Sequence, residues 1–389
     1  MAAAACSFER IPFHLHWTER SDFKETYGGP SGQVVVEGQY LKPKDAPPCK
    51  TVLIFMHPTG VMNLLPYPNA MARAGIPTIC AGSRYPHNDS GLIMEKVAAD
   101  MGAYVRYAKE KLGFEKVVLA GWSGGGSLSM FYQAEAEGPS ITHTPAGDPF
   151  DLTAMGLIAA DGVMQLAAHV SRAITLTEWI DASIVDENDP FNRDPELDLY
   201  GDLVKPPYDE AFLTRYRAAQ IARSKKIDDW VKSEIEALKR NPRGELERAF
   251  VVHGTMADPR WLDLAIDPND RPGPNHCFMG DPRVVNMMPA GLARYSSLRS
   301  WLSQWSFAES RADGPKCAGR ISVPALVIEN SADDACTPSH TRRIFDGIAS
   351  ADKEKHTIEG ATHYYYGQPG KMAQSIAVCR DWLERKGFV

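Results

Sequence analysis

Short apolar runs alternate with longer stretches of helical spacing along the first part of the chain. The run Thr51–Met56 is apolar on both faces, which is typical of a buried central strand. Apolar residues then recur every three or four positions between residues 93 and 112, and this spacing predicts a helix. The run 116–120 predicts a further buried strand. Strands that alternate with helices indicate an α/β fold with a mostly parallel central sheet flanked by helices.

The same pattern predicts the other elements of this sheet. The remaining predicted strands are 13–17, 33–41, 76–80, 155–160, 323–328 and 356–358. The remaining predicted helices are 67–74, 212–239, 340–348 and a closing helix that buries Met372, Ile376, Cys379 and Leu383 on one stripe.

The alternation of strands and helices breaks down between about residue 169 and residue 314. This stretch holds Pro-rich loops, helix-like runs and five of the eight tryptophans of the chain. The chain has 389 residues, which is two to three times the usual size of a domain. We therefore predict a largely helical insertion at 169–314 within one sheet domain, whose two parts are residues 1–168 and 315–389.

Composition and charge exclude several classes of protein. The chain is 44% hydrophobic and 23% charged, which is an ordinary globular composition rather than a disordered one. Its net charge of −7 leaves no excess of basic residues for phosphates, so we expect neither a nucleic acid nor an anionic membrane as partner. Its apolar runs are far shorter than the roughly 20 residues that cross a bilayer.

The cysteines and the first residues indicate where the protein works. The seven cysteines are an odd number, scattered along the chain without a C-x-x-C pair. Residues 1–10 have neither the basic start nor the apolar stretch of a signal peptide. We therefore expect a cytoplasmic location.

The first candidate for chemistry is Ser123, in the segment Gly-Trp-Ser-Gly-Gly at 121–125. This segment matches G-x-S-x-G and lies between a predicted buried strand and a Gly- and Ser-rich helix start. The flanking glycines allow a sharp turn from strand to helix, with the serine in a strained backbone conformation and its hydroxyl exposed. We predict that Ser123 is a nucleophile.

Three segments of the chain resemble the α/β-hydrolase superfamily, and more closely a bacterial branch of large, capped members. They are residues 121–128, 215–220 and 360–365. The resemblance extends from about Val34 to the C-terminus and leaves the insertion less constrained. It implies the α/β-hydrolase fold, with the insertion as a helical cap after the sixth strand. It also implies a chain order of nucleophile, acid and histidine, but no particular substrate.

A serine hydroxyl needs a base within hydrogen-bond reach and a group that orients this base. His363 lies in a Gly-rich loop between the last predicted strand and the final helix, where the superfamily has its base. The weaker candidates for the base are His57, His253, His276 and His340.

Several carboxylates are candidates for the acid of the triad. Asp333 and Asp334 both follow the strand that ends at Ile328, where the superfamily usually has its acid. The resemblance to the capped branch favours Asp333. Asp161 is an alternative because some relatives carry the acid after the preceding strand. Asp258 follows a strand-like run, but it lies in the predicted insertion.

Acyl transfer also needs hydrogen-bond donors that face the developing oxyanion, each worth roughly 3–4 kcal/mol. The residue after the nucleophile supplies one backbone N–H, which here belongs to Gly124. The second donor is expected in the loop after the third strand, which resembles the His-Gly turn of the superfamily with Pro58 in the glycine position. Because proline has no N–H, we predict Thr59 as the second donor.

These residues predict a metal-independent serine hydrolase that cleaves a carboxylic ester or lactone through an acyl-enzyme. One alternative is a hydrolase with the same triad that cleaves an amide, a thioester or a carbon–carbon bond. The other is a ligand-binding receptor on the same fold. The expected partner is a small apolar substrate. A homo-oligomer is compatible with the sequence. No phosphate-binding loop, dinucleotide motif or H-E-x-x-H spacing is present, so we expect no cofactor and no metal.

Overall fold

The computed structural model describes residues 6–19, 24–25, 32–241 and 243–389 of the chain. The strands of these residues are β1 (Phe8–Thr18), β2 (Gln33–Pro43), β3 (Thr51–Met56), β4 (Thr78–Ala81), β5 (Lys116–Ser123), β6 (Gly162–Ala168), β7 (Ile184–Asp186), β8 (Asp189–Arg193), β9 (Ala249–Val251), β10 (Tyr295–Ser297), β11 (Ala325–Asn330) and β12 (Lys353–Ile358). The α-helices are α1 (Pro66–Arg73), α2 (Met94–Glu110), α3 (Gly124–Glu137), α4 (Arg172–Trp179), α5 (Glu210–Arg240), α6 (Pro282–Val285), α7 (Leu298–Ser300), α8 (Gly314–Ala318), α9 (Pro338–Gly347) and α10 (Pro369–Arg385).

Eight of these strands form one sheet in the order β1-β2-β4-β3-β5-β6-β11-β12. Strand β2 is antiparallel to β1 and to β4, and the other neighbouring strands are parallel. The central strand β3 is buried at every position, as its apolar pattern predicts. The predicted mostly parallel sheet is therefore confirmed.

Alternate side chains of β3 enter two different apolar cores, because successive strand residues point to opposite faces of a sheet. Val52 and Ile54 pack with residues of α2, α3, α8 and α9. Leu53 and Phe55 pack with residues of α1 and α10. Complete burial of one such side chain stabilises the fold by about 1.5–3 kcal/mol. The sheet is thus covered by helices on both faces, as predicted.

The strand predicted at 155–160 is wrong. Those residues form a turn and an irregular segment in which Gly156 has a φ of 59° and Arg106 donates to the carbonyl oxygens of Met155 and Gly156. The sixth strand is β6, which begins at Gly162 and is buried throughout. Its polar residue Gln165 interrupts the apolar pattern, but its Nε2 donates to the hydroxyl of Ser129 inside the protein at 3.0 Å. The other predicted strands of the sheet overlap strands of the structure.

Residues between β6 and β11 form apolar clusters of their own. The long helix α5 packs Ile227, Val231 and Ile235 against Trp301 and Trp305. The same region also contains two short antiparallel strand pairs, β7 with β8 and β9 with β10. No helix in the described ranges has both the length and the apolar character needed to span a bilayer.

Candidate active site

Ser123 lies at the sharp turn between β5 and α3. Its backbone angles are φ 54° and ψ −127°, a conformation that residues other than glycine rarely adopt. A Cβ on Gly125 would lie 2.3 Å from the carbonyl oxygen of Met56, and one on Gly121 would lie 2.6 Å from the Cα of Gly126. The turn therefore requires glycine on both sides of Ser123, as the sequence pattern predicts.

The structure brings His363 and Asp333 to Ser123. Nε2 of His363 is 3.1 Å from Oγ of Ser123, and Nδ1 of His363 is 2.7 Å from Oδ2 of Asp333. His363 lies in the loop between β12 and α10, and Asp333 lies in the loop between β11 and α9. All three residues are buried, with 8% of Ser123 exposed, 2% of His363 and none of Asp333.

The carboxyl group of Asp333 is held by the backbone of its own turn. Its Oδ1 accepts the N–H groups of Ala335 and Cys336, both at 2.8 Å. These bonds leave Oδ2 to accept Nδ1–H of His363, so the lone pair of Nε2 faces the hydroxyl of Ser123. The arrangement can transfer the serine proton to the imidazole.

Asp334 has a different partner from Asp333. Its Oδ2 is 3.0 Å from Nδ1 of His276, and its carbonyl oxygen accepts the indole N–H of Trp261 at 2.7 Å. Burial raises the pKa of Asp334, and the neighbouring charge of Asp333 raises it further. The structure therefore does not bring the Asp334 carboxyl to His363.

Asp161 precedes β6 instead of following a strand, so it does not occupy the position of an acid at the end of a strand. Its Oδ2 accepts the backbone N–H of Val117 at 2.8 Å and is paired with Lys109 at 2.9 Å. Val117 lies near the start of β5, whereas Ser123 ends that strand. Asp161 is thus near the amino end of β5, whereas Ser123 is at its carboxyl end.

Two further candidates, Asp258 and His340, also bond elsewhere. Asp258 forms ion pairs with Arg217 and Arg260. Nε2 of His340 is 3.1 Å from a carboxylate oxygen of Glu178. Neither residue takes part in the hydrogen bonds that join Ser123 to Asp333.

His57 lies in the loop after β3, beside the turn at Ser123. Its Nδ1 accepts the N–H groups of Gly60 at 2.8 Å and of Thr59 at 3.2 Å. Burial, Arg172 and His363 lower the pKa of His57 to about 3, so the ring is neutral near pH 7. Because Nδ1 accepts, the proton of the neutral ring is on Nε2.

The Nε2 atom of His57 lies against Gly124. A Cβ on Gly124 would be only 2.6 Å from this nitrogen. The N–H of Thr59, predicted to face an oxyanion, is instead within 3.2 Å of Nδ1 of His57. The loop after β3 thus presents an imidazole N–H beside Gly124, which the sequence did not predict.

Aromatic rings surround the imidazole of His363. The ring centroids of Trp122 and Tyr364 lie 4.8 and 4.9 Å from it, and that of Phe278 lies 6.2 Å away. Phe278 comes from the region between β6 and β11, so this region reaches the catalytic candidates. Asn269 of the same region donates to the carbonyl oxygen of Asp333 at 2.8 Å.

Sequence reasoning missed His169 and Arg172, which lie close to this site. The backbone N–H of His169 donates to the carbonyl oxygen of Ser123 at 3.0 Å, and its ring is 6.1 Å from that of His363. Arg172 is buried, bonds to Asp89 at 2.7 Å and lies over the ring of Trp305 at 4.2 Å. His169 directly follows the buried strand β6, and a histidine at such a position is a signal for a site residue. The signal was missed because the sixth strand was predicted at 155–160.

The sheet order, the helices on both faces and the turn after β5 define the α/β-hydrolase fold, which confirms the fold that the resemblance implied. Among solved structures, the chain is similar to DcsB in complex with its substrate analogue, with a TM-score of 0.51 and 12% identity over 97% of this chain and 99% of that one.

The chain is also similar to Est1E from Butyrivibrio proteoclasticus, with a TM-score of 0.47 and 13% identity over 92% of this chain and 97% of that one. A siderophore hydrolase, EstB from Aspergillus fumigatus, has a TM-score of 0.47 and 12% identity over 91% and 95% of the two chains. No protein-family model and no curated protein sequence matches the chain.

Proposed function

We propose that the protein is a serine hydrolase that cleaves a carboxylic ester or lactone through an acyl-enzyme. The observation that carries this proposal is the continuous hydrogen-bond path from Ser123 through His363 to Asp333, with distances of 3.1 and 2.7 Å. The strained backbone of Ser123 and the fold support it.

In the proposed reaction, Oγ of Ser123 forms a bond to the carbonyl carbon of the substrate while Nε2 of His363 accepts the hydroxyl proton. Collapse of the tetrahedral intermediate breaks the bond to the leaving oxygen, which takes that proton from His363. A water molecule then attacks the acyl-enzyme with the same base. Asp333 orients the imidazole and stabilises its positive charge.

Two hydrogen-bond donors are needed for the oxygen that becomes negative. We assign the first to the backbone N–H of Gly124, which follows the nucleophile. The bond between the N–H of Thr59 and Nδ1 of His57 disfavours Thr59 as the second donor. We therefore assign the second role to Nε2–H of His57, beside Gly124, and keep Thr59 as the alternative.

The aromatic rings around His363 favour an apolar acyl or alcohol group in the substrate. We propose that residues 169–314 act as a cap and contribute Phe278 to the pocket. Esters and lactones have the leaving groups that need least protonation, so they are the preferred class. A cytoplasmic location is proposed because all seven cysteines are unpaired.

Turnover of a panel of aryl esters, lactones, amides and thioesters tests this function. We expect hydrolysis of short-chain aryl esters by the unaltered protein and a loss of at least about 10⁴-fold in Ser123→Ala. Ser127→Ala is the matched control, because Ser127 is buried in α3, the helix that follows Ser123, and bonds only to the carbonyl oxygen of Gly124, at 3.3 Å, among the described contacts. A ligand of the panel that stabilises the protein without being turned over would favour a receptor instead.

A further inference from the structure

Three buried side chains beside the proposed triad have no part in acyl transfer. They are His169 at the end of β6, Cys336 in the turn after β11 and His340 in the first turn of α9. One ring nitrogen of each histidine and Sγ of the cysteine all lie within 4.8 Å of one another. Their exposed fractions are 9%, 2% and 0%. Two nitrogen donors and one sulfur donor therefore converge in a space shielded from water.

The orientation of His340 leaves one nitrogen free for a ligand. Its Nε2 is 3.1 Å from Oε2 of Glu178, and its Nδ1 is buried without a hydrogen-bond partner among the described residues. Glu178 is held in turn by Arg260 at 2.6 Å and Arg343 at 2.8 Å. A carboxylate that accepts one N–H of an imidazole is the arrangement that orients metal-binding histidines. Nδ1 of His340 therefore presents an unused lone pair.

The other two side chains have suitable donors. Nδ1 of His169 is 3.4 Å from the hydroxyl of Thr175, which leaves Nε2 for a further ligand. The backbone N–H of Cys336 donates to Asp333, and this bond fixes the position of the cysteine. Two imidazole nitrogens and one thiolate are typical zinc ligands, and three protein ligands leave a fourth position open.

We propose that His169, Cys336 and His340 form a binding site for Zn²⁺, and that zinc bound there inhibits the triad. Binding replaces the S–H bond of Cys336 by a Zn–S bond and releases one proton to solvent, without oxidation or reduction. Sγ of Cys336 also lies within 4.8 Å of a carboxylate oxygen of Asp333 and a ring nitrogen of His363. A dication at Cys336 would thus oppose the positive charge that His363 must take up during acyl transfer.

The binding claim does not depend on the proposed function. It is tested by titration with Co²⁺, which substitutes for zinc and gives a thiolate-to-cobalt absorption band. We expect one equivalent to bind to the unaltered protein and to Ser123→Ala, and zinc to displace it. Cys336→Ala should lose the band, and His340→Gln should weaken binding at least about tenfold. Cys317→Ala is the matched control, because Cys317 is also buried but packs among residues of the main core.

Two results would overturn the binding claim. One is the absence of a stoichiometric thiolate band in the unaltered protein. The other is a band that Asp333→Asn abolishes and His340→Gln leaves intact, because the metal would then bind at the triad. Circular dichroism identifies variants that fail to fold. If Cys336→Ala fails to fold, His340→Gln and His169→Gln decide whether the metal binds at this site.

The inhibition claim rests on the proposed nucleophile and is tested by the rate at which a fluorophosphonate labels the protein. Equimolar zinc should slow labelling at least about tenfold, a chelator should restore it, and His340→Gln should respond by less than about twofold. Bound metal with an unchanged labelling rate would overturn inhibition. If Ser123 is not labelled in the absence of metal, both the hydrolase proposal and the inhibition claim are wrong. Cobalt binding then still tests whether the metal site exists.

Discussion

At the scale of single residues, hydrogen bonds give two imidazoles of the site opposite roles. Nδ1 of His363 donates to Asp333, so its Nε2 is a proton acceptor beside Ser123. Nδ1 of His57 accepts two backbone N–H groups, so its Nε2 is a proton donor beside Gly124. The hydrogen-bond partner of Nδ1 thus determines whether Nε2 of the same side chain acts as a base or as a donor.

The two adjacent carboxylates should respond differently to the same change. We expect Asp333→Asn to lower kcat by about 10⁴-fold, because an asparagine cannot hold His363 in the required tautomer. Asp334→Asn should lower kcat by less than about tenfold, because its partner is His276. Steady-state kinetics with an aryl ester measures both. A larger loss in Asp334→Asn would reverse the assignment of the acid.

His57 offers a test of the second oxyanion donor. In His57→Asn the amide oxygen can replace Nδ1 as acceptor for the loop, whereas no N–H reaches the position of Nε2. We expect kcat to fall by about 10²–10³-fold with little change in KM, because the donor acts in the transition state. His57→Gln, which restores an N–H near that position, should recover part of the rate. Equal activity of both variants and the unaltered protein would leave Thr59 as the donor.

At the scale of elements, the region between β6 and β11 is joined to the turn that carries Asp333 and to the start of α9. Trp261 and Asn269 donate to the carbonyl oxygens of the two carboxylate residues in the turn after β11. Asp267 accepts the backbone N–H of Ser339 at 3.0 Å, at the start of α9, and bonds to Arg342 at the same distance. Contacts from this region therefore help to hold the turn that contains Asp333.

Asp267 should make the stability of this junction depend on pH. Burial alone would raise its pKa, but hydrogen bonds from Ser339 and Thr337 and the charge of Arg260 outweigh burial and lower the pKa to about 2. Because this value is below that of the unfolded chain, the stabilisation is complete above about pH 4 and is lost as the pH falls towards 2.

We therefore expect Asp267→Asn to reduce the free energy of unfolding by about 1–2 kcal/mol at pH 6, with allowance for partial solvent screening. The difference from the unaltered protein should shrink as the pH falls below 4. Urea unfolding at several pH values measures it. A difference that stays constant with pH would contradict the role of the charge.

The turn around Ser123 should be intolerant of a single methyl group. Gly125→Ala would put a Cβ 2.3 Å from a backbone oxygen of β3, so we expect a loss of about 3 kcal/mol or more in the free energy of unfolding. Gly370→Ala is the matched control, because a Cβ there meets no atom within 4 Å in the first turn of α10. Thermal unfolding of both variants tests the comparison, and similar stabilities would contradict the crowding.

At the scale of the whole molecule, the sheet and the turn at Ser123 were predictable because their signals are local. Strand β3 is apolar throughout, and Ser123 is flanked by glycines that its turn requires. Strand β6 was misplaced because Gln165 finds its partner on another element, which the sequence does not reveal. The cluster of His169, Cys336 and His340 was missed for the same reason, since three distant segments meet only in the folded chain.

The role of Ser123 as nucleophile is tested most directly by finding which residue a fluorophosphonate modifies. The protein is labelled, digested and analysed by peptide mass spectrometry, with His363→Ala treated in parallel. We expect one adduct per chain, on Ser123, and a strongly reduced labelling rate in His363→Ala. An adduct on another serine, or labelling that does not depend on His363, would contradict it.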